Sequence, residues 1–279
     1  MASLDEVLQT STDWPADPVA AAVTDARRTL AGAGPTDAVL AFASVTKPLA
    51  AYAVLVAVQD GALHLDEPVA VDDAPDGITV RHLLAHGSGL PLDRGGLIGA
   101  PGRKRIYSNW GYEILGDLVG QRTGTAFAEH LDAEVLGPLG MDATVLDGSP
   151  AHAARGSVDD LLRFVRELLD PTLLDDDLHR TATDVVFDGL DGVVPGFGRQ
   201  SPCDWGLGFE IRADKDPHWT GSALPPTTFG HFGRSGSFFW VDRTRGVGAA
   251  TLSGREFDTW AKEAWPPFND AIVAAVDAR

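Results

Sequence analysis

The chain has 279 residues, 44% hydrophobic and 22% charged, which suits a well-buried core and excludes a disordered or fibrous sequence. Its 40 acidic residues against 22 basic ones give a formal net charge of −18. That field repels phosphate backbones and anionic lipid, so neither nucleic acid nor a membrane surface is an expected partner.

The start, Met1 to Glu6, is acidic and lacks the basic-then-apolar order of a secretory signal. No stretch approaches the roughly 18 uninterrupted apolar residues of a membrane span. Cys203 is the single cysteine, which excludes an internal disulfide and fits a reducing compartment, so the chain is expected in the cytoplasm.

In chain order, Val19 to Thr24, the turn-like Asp25-Ala26-Arg27 and Thr29 to Ala33 predict a hairpin. After Gly34-Pro35 a short apolar stretch through Phe42 leads to Ser44. Thr46 to Asp60 predicts a helix, with Pro48 tolerated in its first turn and Gly61 as its stop. Helical patterns then dominate about residues 77 to 170: Val80 to Ala85, Trp110 to Arg122, Ala126 to Val135 and Val158 to Leu169. Beyond about residue 185, Trp205 to Ile211, Ser237 to Asp242 and Val247 to Leu252 read as strands. Trp260 to Val276 is helical again, with a break expected at Pro266-Pro267. Strands near both ends with helices between them predict an α+β chain whose two ends build one sheet layer around a helical insertion. The expected division is a sheet domain over residues 1–70 and 186–279 and a mostly helical domain over residues 71–185, with the active site in the cleft between them.

Three short motifs carry chemistry. In Ser44-Val45-Thr46-Lys47, a helix starting near Ser44 brings residues three apart onto one face. Its N-terminus also offers partial positive charge to an alkoxide. A lysine ordinarily titrates at about 10.4, and work as a base requires roughly 7 to 8, a drop that burial can supply. Of the four lysines only Lys47 has a serine three residues before it. The bland reading is a capping serine beside an exposed lysine.

Tyr107-Ser108-Asn109 draws on scarce residues, because the chain has three tyrosines and only two asparagines, Asn109 and Asn269. A tyrosine beside a lysine cation is expected to release its proton more readily, and the Asn109 amide can accept from an ammonium and donate to a carbonyl. The alternative is a loop tyrosine and a turn asparagine ahead of a helix. In Gly230 to Gly236, which contains His231-Phe232-Gly233-Arg234, glycines allow close backbone approach, and an open strand edge could aim an amide at a carbonyl oxygen. A glycine-rich hairpin with a structural histidine explains the same letters.

Taken in order, these Ser-x-x-Lys, Tyr-x-Asn and His-x-Gly motifs resemble the serine β-lactamase and penicillin-binding-protein superfamily, on its class C, D-peptidase and esterase side. Thr79 to Pro91, Ile106 to Gly124, Gly137 to Met141, Trp205 to Gly208 and Phe239 to Asp242 resemble the family in the intervening text. The resemblance implies an α+β, β-lactamase/transpeptidase-like fold, with an antiparallel sheet flanked by N- and C-terminal helices. It also implies Ser44 as the acylated nucleophile, with Lys47 and Tyr107 handling its proton and that of the leaving group. Asn109 would hold Lys47 and the substrate, and the backbone N–H groups of Ser44 and Arg234 would form an oxyanion hole beside His231 and Gly233. His231 stands where many β-lactamases carry a lysine, which turns expectation toward esters, although Arg234 could offer a cation instead.

The expected function is therefore hydrolysis of a small ester or amide, an esterase first and a D-alanyl-D-alanine peptidase or β-lactamase second. A catalytically inactive relative that binds a ligand or partner is the reading from another class. No cofactor or metal is implied: His82 and His86 are four apart, but Leu83 stands where a zinc protease needs glutamate. Gly233-Arg234-Ser235-Gly236-Ser237 lacks the last glycine of a nucleophile elbow. Cys203 has no adjacent histidine and reads as structural, and Trp205 and Trp240 read as core before pocket wall. The oligomeric state is left open.

Overall fold

The computed structural model describes residues 2–72 and 76–279; Met1 of the acidic start and residues 73–75 of the expected helical insertion lie outside them. Among the described residues, six antiparallel strands build the main sheet. They are β1 (Val19–Asp25), β2 (Thr29–Ala33), β3 (Glu210–Ile211), β4 (Phe229–Gly233), β5 (Ser237–Asp242) and β6 (Val247–Ser253). Their order is β2-β1-β6-β5-β4-β3. The pairing of Val19 with Ser253 and of Asp25 with Val247 joins the two ends of the chain in one layer.

This sheet is buried on both faces, and the period-2 alternation of strand side chains sorts its residues between two cores. Ala20, Ala22, Phe239, Val241, Ala250 and Leu252 belong to one. Ala21, Val23, Phe238, Trp240 and Ala249 belong to the other. Helices α1 (Leu4–Gln9) and α8 (Thr259–Asp277) cover the second face. On the first face lie α2 (Thr46–Gln59) and α6 (Val158–Leu169), with α3 (Val80–Leu84), α4 (Trp110–Thr123), α5 (Phe127–Leu131) and α7 (Asp176–Thr183) completing the helical part.

Helix α2 is the centre of the first core. Every residue from Thr46 to Ala57 is buried, as expected for a helix apolar on all sides. Its length follows the apolar run, and Gly61 (φ 78°) turns the chain out of it. The hairpin and the helix over Val158–Leu169 form where their patterns predict.

Three expectations are corrected. Pro266 and Pro267 do not break the last helix, which runs unbroken from Thr259 to Asp277. The carbonyls deprived of donors belong to Lys262 and Glu263, both exposed, so water can satisfy them, while Trp260, Trp265, Phe268 and Ile272 anchor the helix in the core. Trp205 to Ile211 is mostly loop, with only Glu210–Ile211 in a strand. There Leu207 N–H donates to Ala182 O (2.8 Å) and Gly208 N–H to Leu84 O (3.1 Å), so helix ends take the bonds a ladder would use. The helix expected over Ala126 to Val135 is α for Phe127–Leu131 and widens to π over Asp132–Leu136. The middle of the chain also contributes two short strands, Val145–Leu146 and Ala154–Gly156, paired in a small sheet with Leu40–Ala41.

A buried carboxylate ties α2 to α6. Glu167, 3% exposed, accepts from Tyr52 Oη (2.8 Å), Thr172 Oγ1 (2.7 Å) and the amides of Thr172 (2.9 Å) and Leu173 (2.8 Å). Glu167→Ala leaves these donors without an acceptor and should cost about 2–4 kcal/mol of unfolding free energy in urea titrations. A loss below about 0.5 kcal/mol would show that the network is dispensable.

Candidate active site

Ser44 sits on a single 3₁₀ turn, Ala43–Val45, that runs directly into α2. Ala43 adopts φ 45°, a left-handed conformation that a non-glycine residue keeps only where its surroundings hold it. Those surroundings are visible. Phe42 N–H donates to Ala154 O (2.9 Å), Ala154 N–H donates to Thr46 Oγ1 (3.0 Å), and Ser237 Oγ donates to Phe42 O (2.7 Å). The turn is therefore held from both sides, by the 154 segment and by β5.

Lys47, one turn further on, is fully buried. Its Nζ donates to Asn109 Oδ1 (2.7 Å) and to Ala151 O (2.9 Å) and lies 4.6 Å from the centroid of the Tyr107 ring. Burial pulls the amine from 10.5 down to about 7, against the opposing pull of the Glu113 and Asp93 carboxylates. The expectation of a base poised near neutrality and held by Asn109 thus has a physical basis. The Asn109 amide is not idle on its other side, because Nδ2 donates to Asp93 Oδ1 (3.2 Å).

Tyr107 corrects the sequence argument. Burial pushes its phenol well above the usual value, and the nearby Ser44 side chain opposes that shift only in part. Lys47, itself near 7, gives the phenolate no lasting cation to lean on, so burial keeps the Tyr107 phenol protonated at ordinary pH. Its oxygen is buried and makes no hydrogen bond of normal geometry, as is common for catalytic groups that tighten only around a substrate.

At β4, Gly233 explains the glycine. A Cβ there would stand 2.4 Å from Phe42 O and 3.1 Å from Ser44 N, so only glycine lets this strand approach the serine turn. β3 pairs with Phe229 and Gly230 only, and among the described residues no strand covers that edge from His231 to Gly233. His231 is buried, and its Nδ1 donates to Phe232 O (2.7 Å), because a carbonyl can only accept. Burial takes its pKa down to about 3, so the ring is neutral with a lone pair on Nε2. Arg234 differs from the others: its side chain is 82% exposed and its Nε is 3.4 Å from Glu256 Oε2. Its cation stands at the rim in water.

Two residues that the motifs did not single out hold this arrangement. His86, with φ 54°, is wholly buried. Its carbonyl accepts from Ile106 N–H (2.8 Å), its Nδ1 accepts from Ser108 N–H (3.2 Å), and its ring lies 4.5 Å from that of Tyr107. It thus grips the chain on both sides of the tyrosine. Arg105, 3% exposed, donates to the carbonyls of Ala85 (2.6 Å), Val186 (2.7 Å), Phe187 (3.2 Å) and Cys203 (3.0 Å), which fixes the loop bearing Trp205 against the turn bearing His86. The spacing of His86 from His82 suggested only a metal pair, and no spacing marks Arg105; their buried polar contacts reveal what both residues hold. Cys203 itself is buried and its thiol is raised to about 11 by burial, which suits packing and not nucleophilic attack. His82 Nδ1 pairs with Thr79 Oγ1 (2.8 Å), and among the described residues no cluster of three metal-binding side chains occurs. No described helix is long and apolar enough to cross a membrane.

A hydroxyl, a near-neutral amine and a neutral phenol therefore meet beside an uncovered strand edge, a set suited to acyl transfer through serine. The family described as Beta-lactamase matches residues 17–273. The crystal structure of a beta-lactamase from Mycobacterium bovis is 45% identical and superposes with a TM-score of 0.94 over 97% of this chain and 99% of that one. Esterase EstB of Burkholderia gladioli is 26% identical over 85% of this chain and 83% of its own. Penicillin-binding protein 4* of Bacillus subtilis is 28% identical over 56% of this chain, and the match spans only 41% of that longer protein.

The buried amine also has a thermodynamic signature. Between about pH 7 and 10.5 the folded chain holds Lys47 largely unprotonated while an unfolded lysine keeps its proton. The unfolded state then binds more protons, so this residue makes stability rise with pH across that window. Lys47→Met should remove that component, leaving a shallower slope of unfolding free energy against pH from 7 to 10. An unchanged slope would mean that Lys47 is charged when folded.

Proposed function

Because the chain belongs to the beta-lactamase family, with its β-lactamase/transpeptidase-like α+β fold, we propose that it is a serine hydrolase that cleaves a small ester or amide through an acyl-enzyme on Ser44. The observation that carries this reading is the burial of Lys47. At pH 7 about half of such amines are free base, against roughly 0.03% of lysines titrating at 10.5.

In acylation, neutral Lys47 takes the Ser44 proton, directly or through Tyr107, as Oγ bonds to the substrate carbonyl carbon. The oxyanion that forms is met by the N–H groups of Ser44 and Arg234, the latter delivered by the close approach that Gly233 permits; one such donor is typically worth about 2.7–4 kcal/mol. As the tetrahedral species collapses, the bond to the leaving group breaks and Tyr107 gives that group its proton. The Lys47 ammonium restores the phenol. In deacylation water replaces the alcohol, the pair accepts its proton, and Ser44 recovers one as it departs. Lys47 and Tyr107 titrate as a unit in this scheme, and Asn109 keeps the amine in place.

Esters lead because an activated ester is the easier acyl donor and because neutral His231 stands where a lysine would bind a β-lactam carboxylate. The similarity to an esterase over 85% of this chain and 83% of that one supports the same order. Hydrolysis of β-lactams is the second reading, favoured by the 45% identical protein that bears that name. The buried lone Cys203 supports a reducing, cytoplasmic setting.

Mixing with p-nitrophenyl acetate should give a burst of p-nitrophenol and a mass increment of one acetyl group on Ser44; Ser44→Ala should show neither. An undiminished burst in that variant would refute the assignment. Because Lys47 must be unprotonated to accept, kcat/KM should rise with pH, half-complete near 7, and then level off. Tyr107→Phe should lower kcat by about 10²–10⁴-fold. Faster turnover of nitrocefin than of any ester would reverse the order of the two readings.

A further inference from the structure

Two recesses meet at Ser44 and Arg234, and they differ in chemistry. One is a cavity of about 370 Å³ walled by Tyr107, Pro195, Trp205, His231, Phe232 and Phe257. The other is a more open groove of about 600 Å³ that includes Asn109, His152, Arg255 and Glu256. Tyr107 lines the first and is not among the residues of the second. On the hydrolase reading above, on which this inference rests, the group that departs must lie on the side of its proton donor. We propose that the walled cavity receives the leaving group, and that the substrates are esters of uncharged, aromatic or bulky apolar alcohols whose acyl part lies in the open groove.

The walls support the chemistry. Phe232 packs edge-on to Phe197 at 5.7 Å and lies 5.1 Å from Phe257, and Trp205 stands edge-on to His231 at 5.4 Å, so the cavity is built from fixed rings. Besides Arg234 its two titratable wall groups, the Tyr107 phenol and the His231 imidazole, are both neutral. The one charged residue of the lining is Arg234, whose guanidinium stands in water at the rim beside Glu256. A carboxylate carried into this cavity would lose its hydration and meet no cation in the lining except Arg234 at the rim, because Lys47 lies behind the Tyr107 ring. The volume also sets a scale: a cavity of roughly 150 Å³ accommodates benzene, and this one, at about 370 Å³, has room for a fused pair of rings.

Phenyl acetate, 2-naphthyl acetate and 4-carboxyphenyl acetate share an acyl group and release phenols of similar acidity, so their kcat/KM values compare the cavity alone. The expected order is naphthyl above phenyl by roughly tenfold and carboxyphenyl below phenyl by at least as much. Phe257→Lys, which places a cation on the partly exposed end of the wall, should narrow or reverse the carboxyphenyl deficit while lowering naphthyl turnover. The wild-type series decides the matter even if that variant does not fold. Equal values for the three esters, or preference for the carboxylate, overturn the proposal; if that preference vanishes in Arg234→Ala, the rim and not the cavity selects the alcohol. Acetylation of Ser44, followed by mass spectrometry in every case, separates the two levels. Equal acetylation by all three esters removes only the cavity proposal, and no acetyl-Ser44 from any of them removes the hydrolase reading as well.

Discussion

Lys47 stands in the first turn of a helix that has no solvent-facing side from Thr46 to Ala57. In that place its side chain is shut off from bulk solvent, and its hydrogen bonds go to two oxygens of the protein, Asn109 Oδ1 and Ala151 O. The Glu113 and Asp93 carboxylates favour the ammonium, but burial prevails and leaves the group near 7. In the proposed mechanism a hydrophobic residue here would leave Ser44 without a base, so the apolar character of α2 is both a packing feature and the source of the low proton affinity on which that proposal rests.

The remaining parts position partners around that amine. Tyr107 is gripped through its neighbours by His86, and Arg105 ties the His86 turn to the loop that carries Trp205. Behind them Glu210 is buried among Lys215, His218 and Trp219. Burial alone would raise that carboxyl, but the charges of Lys215 and His218 more than offset it and hold it below the usual carboxylate range. These networks are costly unless completely paired, and their reward is rigidity. On the other side, Gly233 lets β4 reach within van der Waals range of the serine turn. Precision here comes from three separate stretches of chain, each with its own anchor.

Much of this was readable from letters alone. The alternation in Val19 to Ala33 and the apolar run of Thr46 to Asp60 specify a hairpin and a helix through local periodicity, and the order of Ser44, Lys47, Tyr107 and His231 pointed to one site. What could not be read depends on burial. The proton of Tyr107 is held by desolvation that no neighbour in sequence reveals, so the expected easing of its release was wrong. Pro266 and Pro267 stay helical because aromatic anchors on the same helix are buried while Lys262 and Glu263, whose carbonyls lose their donors, are exposed residues. The positioning roles of Arg105 and His86 carry no motif, since their partners are backbone carbonyls and amides from distant segments. Arg234, legible as a cation, turned out to place its charge in solvent.

With only four lysines in the chain, the amine at the centre can be observed directly. ¹³C-lysine labelling, with the Lys47 resonance assigned by its absence in Lys47→Met, gives its titration by NMR without any substrate. The account predicts a midpoint near pH 7 for that one resonance. A Lys47 midpoint at 10 or higher would show a fully charged ammonium and would contradict the whole mechanism built on it.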